Sequence, residues 1–311
     1  MPQRLALEIR GLTIRNFDHG TGEKVFDSLS LDLFDGESFG WLSLQSFASH
    51  SFLEALSGAR FFDQGSVSIF GTPIEKSPEH AQRFMGFVPK ESLFDPELSL
   101  ETHLRLFGDY FYLDRVHIED RIYALSKTFE LENCLDKGCA DLSELEQRKA
   151  SLVRALLHSP QVLVVEEPYH GLDAMERMGF QKFLVLAREA VRTFMVLASD
   201  SFGLDGLFDR IGLFTDGQLK ILGSPQLLAE KYLGTQVAEL FVDARERDYF
   251  LAKFAAKNLE TLVSNNRILI PLKLASRDIV LQEIANSAQF GIRPANLGDL
   301  LNYVSIRGHT S

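Results

Sequence analysis

The chain has 311 residues, which is enough for one large domain and a smaller one, each with its own hydrophobic core. Its composition, with 45% hydrophobic and 24% charged residues, is that of an ordinary globular protein, and 25 phenylalanines predict aromatic packing or contact surfaces. The formal net charge of −11 argues against broad electrostatic binding to nucleic acid or to an anionic membrane surface. The two cysteines, Cys134 and Cys139, have no cluster of ligand residues around them. We therefore expect two reduced structural thiols, and neither a disulfide nor a metal site.

The first hundred residues alternate between strand and helix patterns. The N-terminus enters a strand pattern directly, so no signal peptide is expected, and no apolar run in the chain approaches the ~18 residues that would span a bilayer. Alternating apolar and polar residues in "RLALEIRGLTI" and "SLSLDLF" predict two half-buried antiparallel strands. A buried strand is predicted for "ESFGWLSL", a helix ended by Gly58 for "SFLEALSG", and two short strands for "GSVSIFG" and "MGFVP".

Three helices are predicted in a segment near 95–155. Ser99 is expected to cap the first, which runs through "LETHLRLFGDYFYL" with Glu101 in its first turn. The third is "QRKASLVRALLHSP", ended by Pro160. The second has one apolar stripe, made of Ile118, Ile122, Leu125 and Phe129.

Two near-continuous apolar runs of strand length, "QVLVVEEP" and "TFMVLASD", are typical of a parallel sheet buried on both faces. A hairpin with its turn at Asp216-Gly217 follows in "RIGLFTDGQLKIL". After residue 235 the pattern becomes strand, helix, two strands, helix and strand, with a final short helix over "LGDLLNYVSI". This order predicts a small two-layer α/β domain of about 70 residues behind a larger α/β domain.

Six stretches of the first domain occur together in one order, namely "GESFGWL", a helix ending in "LSG", "GSVSIFGTPI", "MGFVPKESLFDPELSLETHL", "RALLHSPQVLVVEEPYHGLDA" and "FDRIGLFTDGQLKILGSP". Their order and spacing are those of an ATP-binding cassette. The chain resembles the nucleotide-binding subunit of an ABC transporter over about residues 4–232, and its tail resembles the accessory C-terminal domain of drug-exporter-like members. The resemblance implies a P-loop NTPase-like α/β cassette over 1–232, with a mixed sheet, an antiparallel β subdomain and a helical insertion at about 95–155. A small α/β accessory domain is expected over 236–311.

The phosphate loop of this family reads GxxxxGK[ST]: its glycines let backbone N–H groups surround the phosphates, its lysine neutralises charge and its hydroxyl holds Mg²⁺. In that register the two glycines are Ser43 and Ala48, the lysine is Ser49 and the hydroxyl residue is His50. Phe47 adds a bulky ring inside the loop. The loop therefore departs from the family pattern at every position that touches nucleotide.

Two alternatives remain open at this loop. Ser49 or Ser51 could cap the helix that the phosphate would have capped. His50 could replace the lysine as a cation, although its charge is only partial near neutral pH and it lies one position away.

The other nucleotide-contacting positions depart in the same direction. Lys90 stands where the resemblance implies the glutamine that senses Mg²⁺, Glu166 where it implies an aspartate, and Asp200 where it implies the switch histidine. Glu167 occupies the position of the general base, and Asp173 belongs to the "GLDA" loop that crosses the dimer interface in the family.

The signature LSGGQ, which grips the γ-phosphate bound by the opposing subunit in this family, reads "LSELE" here. Ser143 is retained, but Glu144 and Leu145 replace the two glycines, and Glu144 would repel phosphate. Two unit charges about 4 Å apart interact by about 4 kcal/mol at an effective dielectric constant of about 20. Loss of the lysine together with acidic residues at phosphate-facing positions therefore costs several kcal/mol, and each ~1.4 kcal/mol is a factor of ten in affinity.

We therefore expect weak or absent ATP and Mg²⁺ binding, no cofactor and no metal site. Glu167 alone could not supply catalysis, because phosphoryl transfer depends mostly on positioning and charge neutralisation. Its simpler interpretation is a leftover acid that pairs locally, for instance with Lys90. The family is an ATPase, but this chain is expected to lack hydrolysis.

The favoured hypothesis is a non-hydrolysing cassette subunit of a membrane ABC transporter, which docks on transmembrane subunits and supports a second cassette, either a copy of itself or a different chain. It would be cytoplasmic and peripheral on the inner face of the membrane, with no nucleic-acid partner. The alternatives are a soluble regulatory or scaffolding dimer without a membrane partner, and a divergent but active ATPase. The residues expected to contact the transmembrane subunit are Phe94, Phe107, Tyr110, Phe111 and Tyr112.

Overall fold

The computed structural model describes residues 4–16, 23–43, 46–264, 267–273, 276–284 and 290–307. The chain forms two compact units, one made of residues 1–203 with 214–219 and one made of residues 204–213 with 220–311. The predicted domains, 1–232 and 236–311, divide the chain at a different place from these units. That domain assignment therefore stays a prediction.

The first half of the chain contains two kinds of sheet and the helices that cover them. In chain order the elements are β1 (Leu5–Asn16), β2 (Glu23–Phe34), β3 (Ser38–Ser43), α1 (Ser46–Ser57), β4 (Gln64–Ile69), β5 (Thr72–Pro73), α2 (Pro78–Phe84), β6 (Met85–Val88), α3 (Leu100–Tyr110), α4 (Arg115–Thr128), α5 (Glu144–Leu156), β7 (Val162–Glu166), α6 (Ala174–Glu189) and β8 (Thr193–Ala198).

The two sheets of the first unit follow from two different sequence patterns. Strand β1 alternates apolar and polar residues and pairs antiparallel with both β2 and β4, in a sheet of order β2-β1-β4-β5. The apolar runs β3, β8, β7 and β6 lie next to one another in that order and pair in parallel. Strands β3, β7 and β8 are buried along their whole length, as expected for a parallel sheet covered on both faces.

The predicted helical insertion is present as α3, α4 and α5. Ser99 caps α3 by accepting a hydrogen bond from the backbone N–H of Thr102, as predicted. All four residues of the predicted apolar stripe on the second helix are buried, three of them within α4 and Phe129 just after it. The third helix begins earlier than predicted, at Glu144, and ends at Leu156.

Helix α1 also begins earlier than the family pattern implies. It starts at Ser46, so Ser49 and Ser51 lie inside the helix and neither caps it, which contradicts the first alternative above. Behind it lies an aromatic cluster in which Trp41 of β3 stacks on Phe52 of α1 and on Phe214. Phe26 meets the Trp41 ring edge-on. This packing fixes the helix against the end of β3.

The remaining elements of the chain include the predicted second domain. They are β9 (Arg210–Thr215), β10 (Gln218–Gly223), α7 (Pro225–Tyr232), β11 (Gln236–Phe241), α8 (Ala244–Ala255), β12 (Leu262–Ser264), β13 (Arg267–Pro271), α9 (Arg277–Ile284), β14 (Phe290–Pro294) and α10 (Leu297–Arg307).

Within the second unit an antiparallel sheet of order β12-β13-β11-β14 carries a separate core. Ala238 and Leu240 of β11 face Phe254 of α8 and Val280 of α9 in that core. The predicted order of strand, helix, two strands, helix and strand is confirmed, and so is the final helix. None of the helices in the described ranges is long and apolar enough to cross a bilayer.

Candidate functional site

The carboxyl ends of the parallel strands bring the predicted site positions together. Because β3, β8, β7 and β6 are parallel neighbours, their carboxyl ends lie at one edge of the sheet. The chain leaves β3 at Ser43, β7 at Glu166 and β8 at Ala198, so the start of α1, Glu167 and Asp200 all follow at this edge. This edge is the position at which a P-loop fold binds its ligand.

The segment aligned with the phosphate loop is largely helical. Ser43 is the last residue of β3, and Phe47, Ala48, Ser49 and His50 all belong to α1. Leu44 and Gln45 lie outside the described residues. Ser49, at the lysine position, is fully buried, and its Oγ has no hydrogen-bond partner among the described atoms.

Helical backbone at these positions has a direct consequence for anion binding. In an α-helix the N–H of residue i donates to the carbonyl of residue i−4, so the N–H groups from His50 onward are used inside α1. Ala48 is buried, whereas the Phe47 ring is exposed at the start of the helix. The N–H groups of the first turn, which precede His50, have no partner inside the helix.

His50 lies directly against the carboxylate of Glu166. Its Nδ1 is 3.2 Å from Glu166 Oε1 and 3.3 Å from Oε2. A carboxylate can only accept hydrogen bonds, so Nδ1 carries the ring proton and is the hydrogen-bond donor to Glu166. The Glu166 side chain is 0% exposed, and its Oε2 also accepts from the backbone N–H of Lys90 at 2.9 Å. The two residues that the resemblance assigns to Mg²⁺ thus contact each other.

The Lys90 side chain points to a different partner from the one expected. Its Nζ lies 3.9 Å from Glu91, and in the described part of the chain no other carboxylate lies within 4 Å of it. The direct ion pair between Lys90 and Glu167 that the sequence suggested is therefore not formed. Lys90 nevertheless contributes to the site through its backbone, which is bonded to Glu166.

Glu167 is half-buried and held by the backbone around it. Its Oε1 accepts from the backbone N–H of Ser199 at 2.9 Å, and its own N–H donates to the Leu197 carbonyl at 2.8 Å. Burial raises the pKa of the Glu167 carboxyl, and the hydrogen bond from Ser199 partly opposes that shift. Its φ of 41° lies in the left-handed region, which a glutamate adopts only when its surroundings impose it.

The signature residues form the start of a helix. Ser143 caps α5 by accepting from the backbone N–H of Glu146, whose carboxylate accepts in return from the Ser143 N–H. Hydrogen bonds from Lys137 and Ser143 lower the pKa of Glu146 to about 2. Glu144 is exposed beside Gly171, where a Cβ would lie 2.9 Å from its Oε2, and Leu145 is half-buried. The retained serine thus accepts a hydrogen bond from its own helix as a cap.

Two further predicted positions are also engaged locally. Asp173 caps α6, and its Oδ1 accepts from the N–H groups of Met175 and Glu176, each at 2.8 Å. Asp200, at the position of the switch histidine, pairs with Arg177 at 3.2 Å. In the described part of the chain, no contact joins Asp173 or Asp200 to Glu166.

Arg148 joins three segments of the site and was missed by the sequence analysis. It is 3% exposed, and its guanidinium donates to five backbone carbonyls, with Nη1 on Lys90 at 2.8 Å and Nη2 on Glu167 at 2.9 Å. Burial lowers the pKa of Arg148 to about 10, so it stays charged near neutral pH. The other three carbonyls belong to Pro89, Glu166 and Pro168.

Three of the five aromatic residues predicted to contact a membrane subunit pack against α5 or the residues just after it. Phe94 and Phe107 each lie under the Arg154 guanidinium, at 5.3 and 5.6 Å, and Phe111 stacks on His158 at 3.9 Å. These three rings are therefore half-buried against the helix. The two tyrosines are exposed, and Tyr110 Oη donates to Gln82, while Tyr112 has a positive φ.

A shallow cavity of about 120 Å³ lies beside these rings. Its lining residues are Glu79, Gln82, Arg83, Tyr110, Phe111 and Tyr112. The groove thus combines exposed aromatic area with polar groups from α2. Arg154 and His158, which position the rings, carry no signal in the sequence that would have identified them.

A phosphate-loop position at the end of a buried parallel strand, beside paired carboxylates and a capped signature helix, defines the class of ATP-binding cassettes. The sequence model of the family described as ABC transporter matches residues 50–170. The chain is 30% identical over 221 residues to the Nod factor export ATP-binding protein I of Rhizobium sp. (strain N33), covering 71% of this chain and 73% of that one. The chain belongs to the ABC transporter family, as an ATP-binding subunit.

The similarity to proteins of that name extends into the second unit. The Nod factor export ATP-binding protein I of Cupriavidus metallidurans is 29% identical over 294 residues, covering 93% of this chain and 95% of its own. Among solved structures, cbiO1 from Clostridium perfringens, part of the ABC transporter complex cbiONQ, superposes with a TM-score of 0.64 at 18% identity, covering 82% of this chain and 99% of that one. The predicted cassette fold is confirmed.

Proposed function

We propose that this chain is the cassette subunit of a membrane transporter whose own nucleotide site neither binds Mg·ATP tightly nor hydrolyses it. The observation that carries the proposal is the contact between His50 and Glu166, at 3.2 Å. His50 is aligned with the hydroxyl residue, and Glu166 with the carboxylate, between which the family holds Mg²⁺. Mg²⁺ requires oxygen ligands in near-octahedral geometry, which this pair does not offer.

The electrostatics of the site support the same conclusion. The position of the phosphate-neutralising lysine is Ser49, which is buried within α1. One such charge about 4 Å from a phosphate is worth about 4 kcal/mol at an effective dielectric constant of about 20, or roughly a thousandfold in affinity. The Lys90 ammonium pairs with Glu91 and does not compensate for this loss.

Catalysis would require more than the retained acid. Glu167 occupies the general-base position, but its Oε1 already accepts from Ser199 N–H. Phosphoryl transfer is accelerated mainly by positioned cations and donors around the transferred group. In the signature segment Ser143 Oγ accepts a hydrogen bond from the Glu146 N–H, and Glu144 and Leu145 replace the two glycines that follow it in the family.

We infer that the chain acts through its shape and its docking surface. The groove lined by Tyr110, Phe111 and Tyr112 presents aromatic area to a transmembrane subunit, and Phe94 and Phe107 lie against Arg154 beside it. Helix α5 supports that groove through Arg154 and joins it to the site through Arg148. The relatives are named as export ATP-binding proteins, and cbiO1 as part of a transporter complex, which supports a location at the inner face of a membrane beside transmembrane subunits and a second cassette.

Titration calorimetry of the full chain with ATP and Mg²⁺ tests the site. We expect no saturable binding below about 1 mM. A fourfold variant, Ser43→Gly, Ala48→Gly, Ser49→Lys and His50→Thr, should gain binding by at least about a hundredfold, because it restores the loop glycines, the cation and the Mg²⁺ hydroxyl. Its matched control carries Ser49→Met in place of Ser49→Lys, which keeps the side-chain length without the charge.

Saturable micromolar binding of Mg·ATP by the unaltered chain would contradict the proposal. ATP turnover by the purified chain would support the divergent ATPase instead. Proteins that co-purify from gently solubilised membranes decide the partner: recovery of a polytopic membrane protein supports the transporter subunit. Recovery of the chain alone, and only from the soluble fraction, supports the regulatory dimer.

A further inference from the structure

The second unit contains a cavity of about 280 Å³ beside helices α7 and α10, which we call the α7–α10 cavity. The two helices approach each other closely, and the ring centroids of Tyr232 and Tyr303 lie 5.6 Å apart. Residues 205–206, which precede β9, also line the cavity. Sites for small molecules have volumes from about 300 Å³ upwards. The α7–α10 cavity is therefore large enough for a small ligand.

Hydrogen bonds hold the wall of the cavity in place. Asp205 Oδ1 accepts from the backbone N–H of Leu297 at 3.0 Å, which ties residues 205–206 to the first turn of α10. At the same helix start, the Asn296 N–H donates to Asp299 Oδ2 and the Asp299 N–H donates to Asn296 Oδ1, each at 3.0 Å. A preformed site loses little conformational entropy when a ligand enters it, which favours binding.

The side chains that line the cavity carry uncompensated negative charge. Asp205 and Glu230 both line it, and no Lys, Arg or His side chain from the described part of the chain does so. Within the same part of the chain, neither carboxylate forms an ion pair. Two carboxylates repel an anion such as phosphate and attract a cation. The charge of the lining therefore selects a cationic ligand.

Apolar groups in the same lining indicate which kind of cation fits. Ala229 of α7 lines the cavity, and so do Leu297 and Leu300 of α10, which are 3% and 1% exposed. Mg²⁺ and Ca²⁺ need about six or more oxygen ligands, which an apolar wall does not supply. An alkyl ammonium group instead buries its methylene groups on apolar surface and keeps its charge at a polar partner. The lining thus favours an organic ammonium ion.

We propose that the α7–α10 cavity binds a short aliphatic diamine or polyamine, with one ammonium group on Asp205 and another on Glu230. The two carboxylates belong to different elements, a loop and a helix, and a chain with two ammonium groups reaches both. Each ammonium group presents three hydrogen-bond donors and a full positive charge to its carboxylate. This binding concerns the second unit alone and does not depend on the loss of the nucleotide site.

Titration calorimetry of the full chain with putrescine tests the proposal, at about pH 7 and in about 0.15 M salt to screen distant charges. We expect one saturable site with a dissociation constant of about 0.1–1 mM. Glu230→Gln and Asp205→Asn should each weaken binding about fivefold or more, because each removes one ion pair. The asparagine Oδ1 still accepts from the Leu297 N–H, so the wall of the cavity is kept.

Two controls separate the site from general attraction between opposite charges. Glu189→Gln removes the same charge from an exposed position at the end of α6, in the first unit, and should leave the affinity within about twofold. With the unaltered chain, n-butylamine has only one ammonium group and should bind about fivefold or more weakly than putrescine. Butanediol with a hydroxyl at each end should not bind, since it carries no charge.

Three results would overturn the proposal. The absence of saturable putrescine binding would exclude the ligand class. Binding that Glu230→Gln and Asp205→Asn leave unchanged, or that Glu189→Gln weakens equally, would assign it to general attraction by the net charge of −11. Equal affinities for putrescine and butanediol would show that the ammonium groups are not recognised.

Discussion

Removal of the His50 ring should lower the free energy of unfolding, mainly because the Glu166 carboxylate loses a hydrogen-bond donor. Among the described residues, that fully buried carboxylate has two hydrogen-bond donors, His50 Nδ1 and the Lys90 N–H. His50→Ala leaves it with one. An incompletely satisfied buried acceptor is costly, because the solvent that would replace the lost donor is excluded.

The size of the expected stability loss follows from how deeply His50 and Glu166 are each buried. Hydrogen bonds to charged groups contribute about 1.5–3 kcal/mol, and the 52% exposure of the His50 side chain argues for the lower part of this range. We expect a coupling free energy of about 1–2 kcal/mol between His50 and Glu166. The same ring also approaches Glu54, with Nε2 3.6 Å from Oε1 one helical turn away, and such surface pairs contribute about 0.3–0.5 kcal/mol.

The assay is a pair of double-mutant cycles that share one histidine. Free energies of unfolding in urea, followed by circular dichroism at about pH 7, are measured for His50→Ala, for Glu166→Gln and for the double variant. The second cycle uses Glu54→Gln in place of Glu166→Gln and serves as the control. A coupling to Glu166 below about 0.5 kcal/mol, or one no larger than that to Glu54, would refute the reasoning.

Arg148→Met should lower the free energy of unfolding by about 4 kcal/mol, because it leaves buried backbone carbonyls without donors. Urea unfolding tests this, and a loss below about 1 kcal/mol would show that these hydrogen bonds contribute little to stability. Burial lowers the pKa of His158 to about 4, below the value of about 6.5 in an unfolded chain. The neutral imidazole therefore contributes fully to stability above about pH 6.5, and this contribution is lost as the pH falls through about 4. His158→Gln, which keeps a donor for the Met85 carbonyl, should reduce the loss of stability between about pH 7 and pH 5 by about 1–2 kcal/mol. Urea unfolding at each pH measures this loss, and parallel pH curves for the two proteins would show that His158 is not its source.

Most elements of the fold could be predicted because they depend on local patterns. The apolar runs "VLVV" and "TFMVLA" identified two strands of the buried parallel sheet, since only such a sheet covers both faces of a strand. The cap at Ser99 followed from its own position before an apolar stripe. The alternating strand and helix patterns after residue 235 predicted the order of the elements that form the second sheet and its helices.

The two helix starts that differ from the expectation have a common physical cause. The family pattern has glycines at positions 48, 144 and 145, but this chain has Ala48 inside α1 and Glu144 and Leu145 inside α5. These residues favour helix over the left-handed turns that glycine allows, so each helix extends towards its N-terminus. For α5 the signal was present in the sequence, because "SELE" is a capping box beginning at Ser143.

The contacts inside the site could not be predicted from local patterns. His50 and Glu166 are separated by 116 residues, and only the parallel pairing of the strands between them brings them together. Arg148 binds main-chain carbonyls, which every residue possesses, so no sequence pattern identifies its partners. The expected pairing of Lys90 with Glu167 failed because the backbone of Lys90, and not its ammonium group, faces the acids.

The stacking of Trp41 has an optical consequence. It is the only tryptophan of the chain, fully buried, with its ring centroid 3.4 Å from that of Phe214 and 4.3 Å from that of Phe52. Phe52 belongs to the same helix as Phe47 and His50, so a rearrangement of that helix changes the surroundings of the indole. The tryptophan fluorescence of the protein therefore comes from a single indole next to the sheet edge that carries His50 and Glu166, and it reports on that edge without any attached dye.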